Sequence, residues 1–392
     1  MSDWPIPGQK RRLAVLKDVD GRFVLVTAAL CLCGLVFIGS ATRDDGKFAG
    51  QQSRQALFLA CSFGVGFFAL LPHYVHVMRA AWVVYGSVVL ALLGLPFFAP
   101  ELNGARRWYA FPGFSIQPSE FAKLAVVLAL AALLRFKSRA RTFDGLLVPM
   151  LVAAVPALLV LRQPDLGSSL VFGPVLLAMC YAAGAPTRSI LAVVGIGIAV
   201  AGFAYFEVLH EYQRGRITVW WQHWSWHDGN LDDPQVRSVL RGAGFQPWQA
   251  LIAMGGGGAF GFGIGDGPQN RYDFLPYRSE DYMFAVVGEE VGWFGCVVVL
   301  GLVALLVGGL LALAARTRER FGRLVCVGTA AWIGTQSLIH VAVCGWLVPS
   351  TGLPMPLLSY GGSSTLATVL AIAICLNIGA RREPILAADG FH

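Results

Sequence analysis

Glu280 and Asp281 stand side by side just ahead of a long apolar run. A carboxylate at the mouth of an apolar helix is partly desolvated. Desolvation raises its pKa and makes it a better proton acceptor near neutral pH. Helix capping is the competing role for Asp281, since a side-chain oxygen there can accept from free N–H groups. Glu120 and Lys123 are three residues apart in another apolar run, which puts both charges on one helix face. Charges inside a span are costly and face each other or a cavity. The pair therefore reads either as a structural ion pair or as a wall that meets substrate. Arg106 and Arg107 precede Trp108 and Tyr109. Guanidinium forks suit phosphate oxygens, and the aromatic rings suit a headgroup zone. Plain interfacial anchoring accounts for the same residues. Asp165 follows Pro164 in a short connection, where capping the next helix is its default role.

Two further clusters are less specific. Trp220, Trp221, Trp224 and Trp226 offer faces for sugars, or a helix lying on a membrane surface. Gly255 to Gly258, with Gly261, Gly263 and Gly265, allow close backbone turns. No Lys-Ser/Thr follows them, so a phosphate loop is a weak reading, and no dinucleotide fingerprint follows a strand elsewhere.

The elements that must position these residues are membrane helices. Of 392 residues, 56% are hydrophobic and 14% charged. Soluble domains carry about 25% charged residues. Charge this sparse cannot cover a water-soluble surface, so lipid is the solvent for much of the chain. Ten apolar runs can span: 23–41, 55–72, 78–98, 117–135, 145–161, 168–184, 188–209, 283–315, 322–346 and 360–380. The fold class is thus an all-α polytopic membrane protein, one domain over 1–392, with a large loop at 210–282 between helices 7 and 8. The eighth run is too long for one straight span. Glu289, Glu290 and Gly292 predict a broken or interfacial start. No strand periodicity competes. All eight cysteines fall in apolar runs without a CxxC pair and read as small buried side chains.

Orientation follows the basic residues. The N-terminal cluster from Lys10 to Lys17, Arg79, the run Arg135 to Arg141, Arg188, the run Arg316 to Arg323, and Arg381-Arg382 occupy alternate connections, tight against helix ends. This predicts a multi-pass protein of the cytoplasmic membrane with both termini cytoplasmic and 1–22 as a cytoplasmic tail anchored by the first span. The loops at 99–116, 162–167, 210–282 and 347–359 then face outward. The net charge of +7 is thereby explained by topology rather than by nucleic acid.

In chain order these stretches resemble the SEDS family, the RodA/FtsW/SpoVE proteins. The resemblance is carried by Gly104-Ala-Arg-Arg-Trp108 with Gln117-Pro-Ser-Glu-Phe-Ala-Lys123, and by Gln163-Pro-Asp-Leu-Gly-Ser168. Gln249 to Gly255 leads through the glycines to Phe274-Leu-Pro276. Asp281 then precedes Phe284-Ala-Val and Gly288-Glu-Glu290, and the last match is Thr351-Gly-Leu-Pro-Met-Pro-Leu-Leu-Ser-Tyr-Gly-Gly-Ser-Ser364. It runs from the first span to the last.

The resemblance implies a ten-helix fold that polymerises lipid II into a growing glycan strand on the outer face. It also implies pairing with a class B penicillin-binding protein that cross-links the product. The family's essential acidic residue maps onto Asp281, and its membrane Glu and Lys onto Glu120 and Lys123. Asp281 is expected as general base, with Arg106, Arg107 and Arg278 as cationic help for the leaving diphosphate. Asp165, Glu280, Ser359 and Tyr360 complete the expected substrate contacts. A divalent cation is possible there, although no clustered ligand set marks one. Three departures stand out: Ser279-Glu280 where the family usually reads His-Thr, His340 in place of a usual Asn, and the Trp-rich segment between Tyr212 and Gly244. Glu280 is expected to raise the pKa of Asp281 by like-charge repulsion. The rival function is a lipid II flippase, and a third is a scaffold without catalysis. The crowding of distinctive residues toward the outer half favours an enzyme.

Overall fold

The computed structural model describes residues 12–43, 48, 50–101, 104–136, 143–224, 226 and 233–381. Lys10, Arg11, Asn103, the basic run 137–141 and Arg382 lie outside the described residues. A short 3-10 helix, Arg12–Asp18, leads into a helical bundle. The first spans are α1 (Gly21–Ala41), α2 (Gln51–Leu70) and α3 (Tyr74–Phe98). A small hairpin follows, β1 (Tyr109–Phe111) and β2 (Phe114–Ile116), paired antiparallel with Tyr109 opposite Ile116. Six residues are too few to show a period, so the sequence does not announce it. Its turn is made by Pro112 and by Gly113 at φ 85, the positive φ that glycine takes without penalty.

The bundle continues with α4 (Pro118–Leu134), α5 (Asp144–Leu161), α6 (Leu166–Ala183) and α7 (Thr187–Glu207). The segment from 210 to 282 is not an irregular loop. It holds α8 (Glu211–His223), α9 (Pro234–Arg241), α10 (Phe245–Gly256) and the single turn α11 (Pro268–Arg271). The chain closes with α12 (Met283–Arg316), α13 (Arg320–Cys344) and α14 (Gly362–Ala380).

Among the described residues, nine helices are long and apolar enough to cross a membrane. The tenth expected span is α4, with 17 residues. At 1.5 Å per residue it is only about 25 Å long. It need not meet lipid along its length, because every residue except Phe121 and Ala132 is buried. It packs against α3, α5, α6, α13 and α14 and forms the axis of the bundle. The opposite case is α7, where only Ser189 is buried and apolar side chains face outward all round, as lipid allows.

The predicted break in the eighth span is real. Gly292 has φ 67 and ψ −163 inside α12. The backbone groups freed there are taken up by the glycine run: Phe262 N–H donates to the Glu289 carbonyl at 3.0 Å and Gly263 N–H to that of Glu290 at 2.9 Å, while Trp293 N–H donates to the Gly258 carbonyl at 2.9 Å. A Cβ on Gly261 would lie 2.2 Å from the Glu290 carbonyl oxygen, so this approach requires glycine. The glycines thus serve close backbone packing rather than phosphate. A Cβ on Gly292 would come 2.5 Å from the Gly261 nitrogen. The expected result for Gly292→Ala is a loss of about 2–4 kcal/mol from unfavourable φ and overpacking. Thermal unfolding of the purified variant in detergent checks this, and an unchanged midpoint would contradict it.

Candidate active site

The turn before α12 fixes the two neighbouring carboxylates. The Tyr277 carbonyl accepts from the N–H groups of Glu280, at 3.1 Å, and Asp281, at 2.9 Å. Helix α12 begins at Tyr282 without a side-chain cap, so the capping role considered for Asp281 is not the one it has. The Phe284 N–H is taken instead by His340 Nε2 at 3.3 Å. The other ring nitrogen, Nδ1, lies 2.8 Å from the Leu353 carbonyl. A carbonyl only accepts, so Nδ1 carries the proton and the ring is neutral. His340 therefore ties the start of α12 to the segment 351–361 while leaving the Asp281 carboxylate without a hydrogen bond among the described residues.

Asp281 is half-buried in a cleft of about 800 Å³. Glu280, Arg106, Arg107, Arg216, Tyr277 and Gly352 share its lining. Gly352, at φ 66, backs the carboxylate, and a Cβ there would sit 3.4 Å from Oδ2. Burial pushes Asp281 up to about 6; Arg216 pulls it down, Asp165 adds repulsion, and Arg107 also lowers it. Burial likewise lifts Glu280 to about 7, with the charge of Asp281 as the second cause. The repulsion thus runs opposite to the sequence expectation. The charges acting on Asp281 are those of Arg216, Asp165 and Arg107, while the repulsion within the pair is felt at Glu280.

The arginines divide into fixed cations of the cleft and one buried brace. Arg107 donates from Nε to the Gln163 carbonyl at 2.7 Å and from a terminal nitrogen to the Pro164 carbonyl at 2.6 Å. Arg106 donates to the Pro96 carbonyl at 2.6 Å and has Glu101 at 3.9 Å. Arg216, from α8, donates to the Ser350 carbonyl at 3.0 Å and to the Tyr212 hydroxyl, and lies 4.4 Å from the Tyr212 ring. Sequence reasoning missed Arg216. The available signal was a cation four residues after Tyr212, on one face of a short helix. Arg278, expected in the site, is buried with its guanidinium on the Ala41 and Leu275 carbonyls and on Asp273, and it does not line the cleft.

Glu120 and Lys123 meet at 2.7 Å, each about 1% exposed. Lys123 also donates to Gln336 Oε1 at 2.8 Å, which accepts from Trp332 Nε1 at 2.7 Å. The amide nitrogen of Gln336 donates to the Pro354 carbonyl at 2.8 Å. The pair thus belongs to a buried network behind the same 351–361 segment that backs Asp281, and neither charge lines the cleft. Asp165 caps α6 through the Ser168 N–H at 3.0 Å and accepts from Gln117 Nε2 at 3.3 Å. The Ser359 hydroxyl is spent on the Met355 N–H at 2.9 Å. Tyr360 donates its N–H to the Ser279 carbonyl at 2.8 Å. The charges of Arg54 and Glu280 both act on its hydroxyl.

The Trp-rich departure packs around Trp346, which is buried. The His223 ring stacks on it at 4.3 Å, with Trp226 at 6.0 Å and Trp248 at 6.5 Å. This aromatic knot fastens α8, and with it Arg216, to the connection after α13. Trp221 remains 72% exposed, so not every ring of the cluster is committed to packing.

The comparisons with known proteins agree with this arrangement. The cell cycle protein family of FtsW, RodA and SpoVE matches residues 21–383. The probable peptidoglycan glycosyltransferase FtsW of Geobacter metallireducens is 32% identical over 386 residues, 95% of this chain and 98% of its own. That of Halomonas elongata is 34% identical over 376 residues, 92% of this chain and 90% of its own. A chain from a peptidoglycan synthase complex that coordinates polymerization and crosslinking superposes with a TM-score of 0.76 at 29% identity, covering 93% of this chain and 98% of that one. The rod shape determining protein RodA of Thermus thermophilus gives 0.67 at 28% identity, covering 93% and 98%. With the family matched over nearly its whole length and the bundle shared with solved relatives, this chain belongs to the FtsW/RodA/SpoVE family of cell cycle proteins.

Proposed function

We propose that this chain is a peptidoglycan glycosyltransferase that polymerises lipid II into glycan strands at the outer face of the cytoplasmic membrane, with Asp281 as general base. The observation that carries the reading is the state of Asp281: free of hydrogen bonds among the described residues, half-buried, raised to about 6, and set in a cleft with fixed arginines. At neutral pH it is ionised yet close enough to neutrality to take a proton, the condition that favours general-base catalysis. It would remove the proton from the acceptor hydroxyl of lipid II as that oxygen attacks the anomeric carbon of the lipid-linked strand. Undecaprenyl diphosphate leaves, and its charge is met by Arg107, Arg216 and Arg106, whose forks suit phosphate oxygens. Arg107 and Arg216 are held by carbonyls, so little reorganisation is needed when the charge develops.

A flippase needs polar groups along a path through the bundle. The charged pair inside it, Glu120 and Lys123, is buried and bonded together, with Gln336 and Trp332 against Lys123, which favours the enzyme. The basic ends at Arg188, Arg316, Arg318 and Arg381 support cytoplasmic termini and an outward 210–282 segment. The relative in the polymerising and crosslinking complex supports a class B penicillin-binding protein as partner. The test is purified chain in vesicles with lipid II, with and without that partner, read for glycan polymer and for transbilayer movement. Polymer without movement supports the enzyme, and movement without polymer overturns it.

The pH profile follows with its sign. Protonation of Asp281 removes the base, so polymerisation is expected to rise with pH through about 6 and then level. Arg216 lowers that pKa, so Arg216→Gln should move the rising limb to higher pH as well as slow the plateau. Rates measured between pH 5 and 8 check this; a limb unmoved in the variant would detach Arg216 from Asp281.

A further inference from the structure

A second cavity, about 630 Å³, lies at the end of the bundle where α1, α12 and α14 meet the basic connections. Its inner wall is apolar, from Phe23, Leu306 and Leu313 among others. Its rim carries Arg22, Arg316, Arg318 and Arg381. Three carboxylates, Asp18, Asp20 and Glu319, share the lining with these four arginines, and two of them are occupied by helix starts. Asp20 accepts from the Arg22 N–H at 3.0 Å, and Glu319 from the Phe321 and Gly322 N–H groups at 2.8 and 2.6 Å. Their charge is largely answered by those helix termini, which leaves the guanidinium groups in excess. Arg381 is the most telling. It donates to the Leu71 carbonyl at 2.8 Å, yet its buried Nε–H has no partner among the described residues. Burial lowers its pKa, as expected for a cation withdrawn from water without an anion beside it.

An apolar slot whose rim carries an excess of guanidinium groups among the described residues, at a membrane boundary, fits one ligand class. We infer that this cavity binds an anionic glycerophospholipid of the adjacent leaflet, its phosphodiester against Arg316, Arg318 and Arg381 and an acyl chain along Phe23, Leu306 and Leu313. The inference rests on the membrane reading of the chain and is independent of the chemistry at Asp281. A neutral lipid carries the same phosphodiester, but its choline or ethanolamine cation cancels that charge and meets the arginine cluster with like sign. Free phosphate lacks the chain that the apolar wall requires.

The test uses the full chain purified in detergent, mixed with phosphatidylglycerol, phosphatidylcholine or inorganic phosphate. Retained adducts are read by native mass spectrometry and stabilisation by thermal unfolding. Phosphatidylglycerol is expected to be retained and to raise the unfolding midpoint, whereas phosphatidylcholine and phosphate do neither. In Arg316→Gln with Arg318→Gln, both exposed positions, affinity should fall about 25-fold, since each basic residue near an anionic lipid surface contributes roughly fivefold. Ala312→Trp, which fills the cavity from an exposed position with the arginines intact, should also abolish retention. Equal retention of the two lipids, or retention unchanged in both variants, would overturn the proposal. So would absence of any lipid adduct, as when residues 1–11 or 382–392 of the chain itself fill the slot.

Discussion

Asp281→Asn is expected to fold, to engage lipid II and its partner, and to polymerise about 10²–10⁴-fold more slowly, the contribution typical of a general base. Two structural facts sharpen this. His340 rather than Asp281 receives the Phe284 N–H, so the substitution removes no cap. The Asp281 carboxylate holds no hydrogen bond among the described residues, so the amide leaves no partner stranded. The loss should therefore appear in kcat, with little change in KM or unfolding temperature. Glu280→Gln is the control. It should keep substantial activity with the acid limb still near 6, because burial rather than Glu280 sets Asp281. A dead Glu280→Gln beside an active Asp281→Asn would move the base by one residue.

Lys123→Ala is the second large expected effect, this time on stability. Removing the ammonium strands Glu120 as a buried charge, and its Oε2 already lacks a partner among the described residues. Breaking a buried pair from one side costs about 3–5 kcal/mol. The Gln336 oxygen also loses one of its two donors and keeps Trp332 Nε1. A charge swap should rescue only in part, because a carboxylate at 123 would face Gln336 Oε1, itself an acceptor. The neutral pair Glu120→Gln with Lys123→Met should recover most of the loss, since no charge remains to be desolvated. Thermal unfolding of the three variants distinguishes these outcomes. Wild-type stability in Lys123→Ala would remove the pair from the account.

Much of the architecture was legible because lipid makes a strict demand: every spanning backbone must satisfy itself. Apolar runs therefore report spans directly, and Glu289-Glu290 with Gly292 reported the break in α12. The run at 117–135 reads as a span although α4 is short and protein-covered, because apolar composition does not distinguish lipid from a protein interior. Asp281, Glu280, Arg106 and Arg107 were named from sequence, and they line one cleft. Glu120, Lys123, Arg278 and Ser359 were named with them but are spent on internal bonds away from it. Their partners, such as Gln336 for Lys123 and Ala41 for Arg278, lie hundreds of residues away in the chain. Local pattern carries no information on such pairings. Arg216 went unnamed and His340 was named only as a departure for the same reason: one is aimed by a tryptophan knot, the other by contacts with Phe284 and Leu353.

The central claim is that this chain forms glycosidic bonds and uses Asp281 to do so. The most direct measurement is release of undecaprenyl diphosphate from lipid II by purified protein, followed together with glycan length. Wild type should release one diphosphate per bond formed and accumulate polymer, while Asp281→Asn should release almost none. Wild-type release by Asp281→Asn, or polymer absent from wild type supplied with lipid II and partner, would contradict the account.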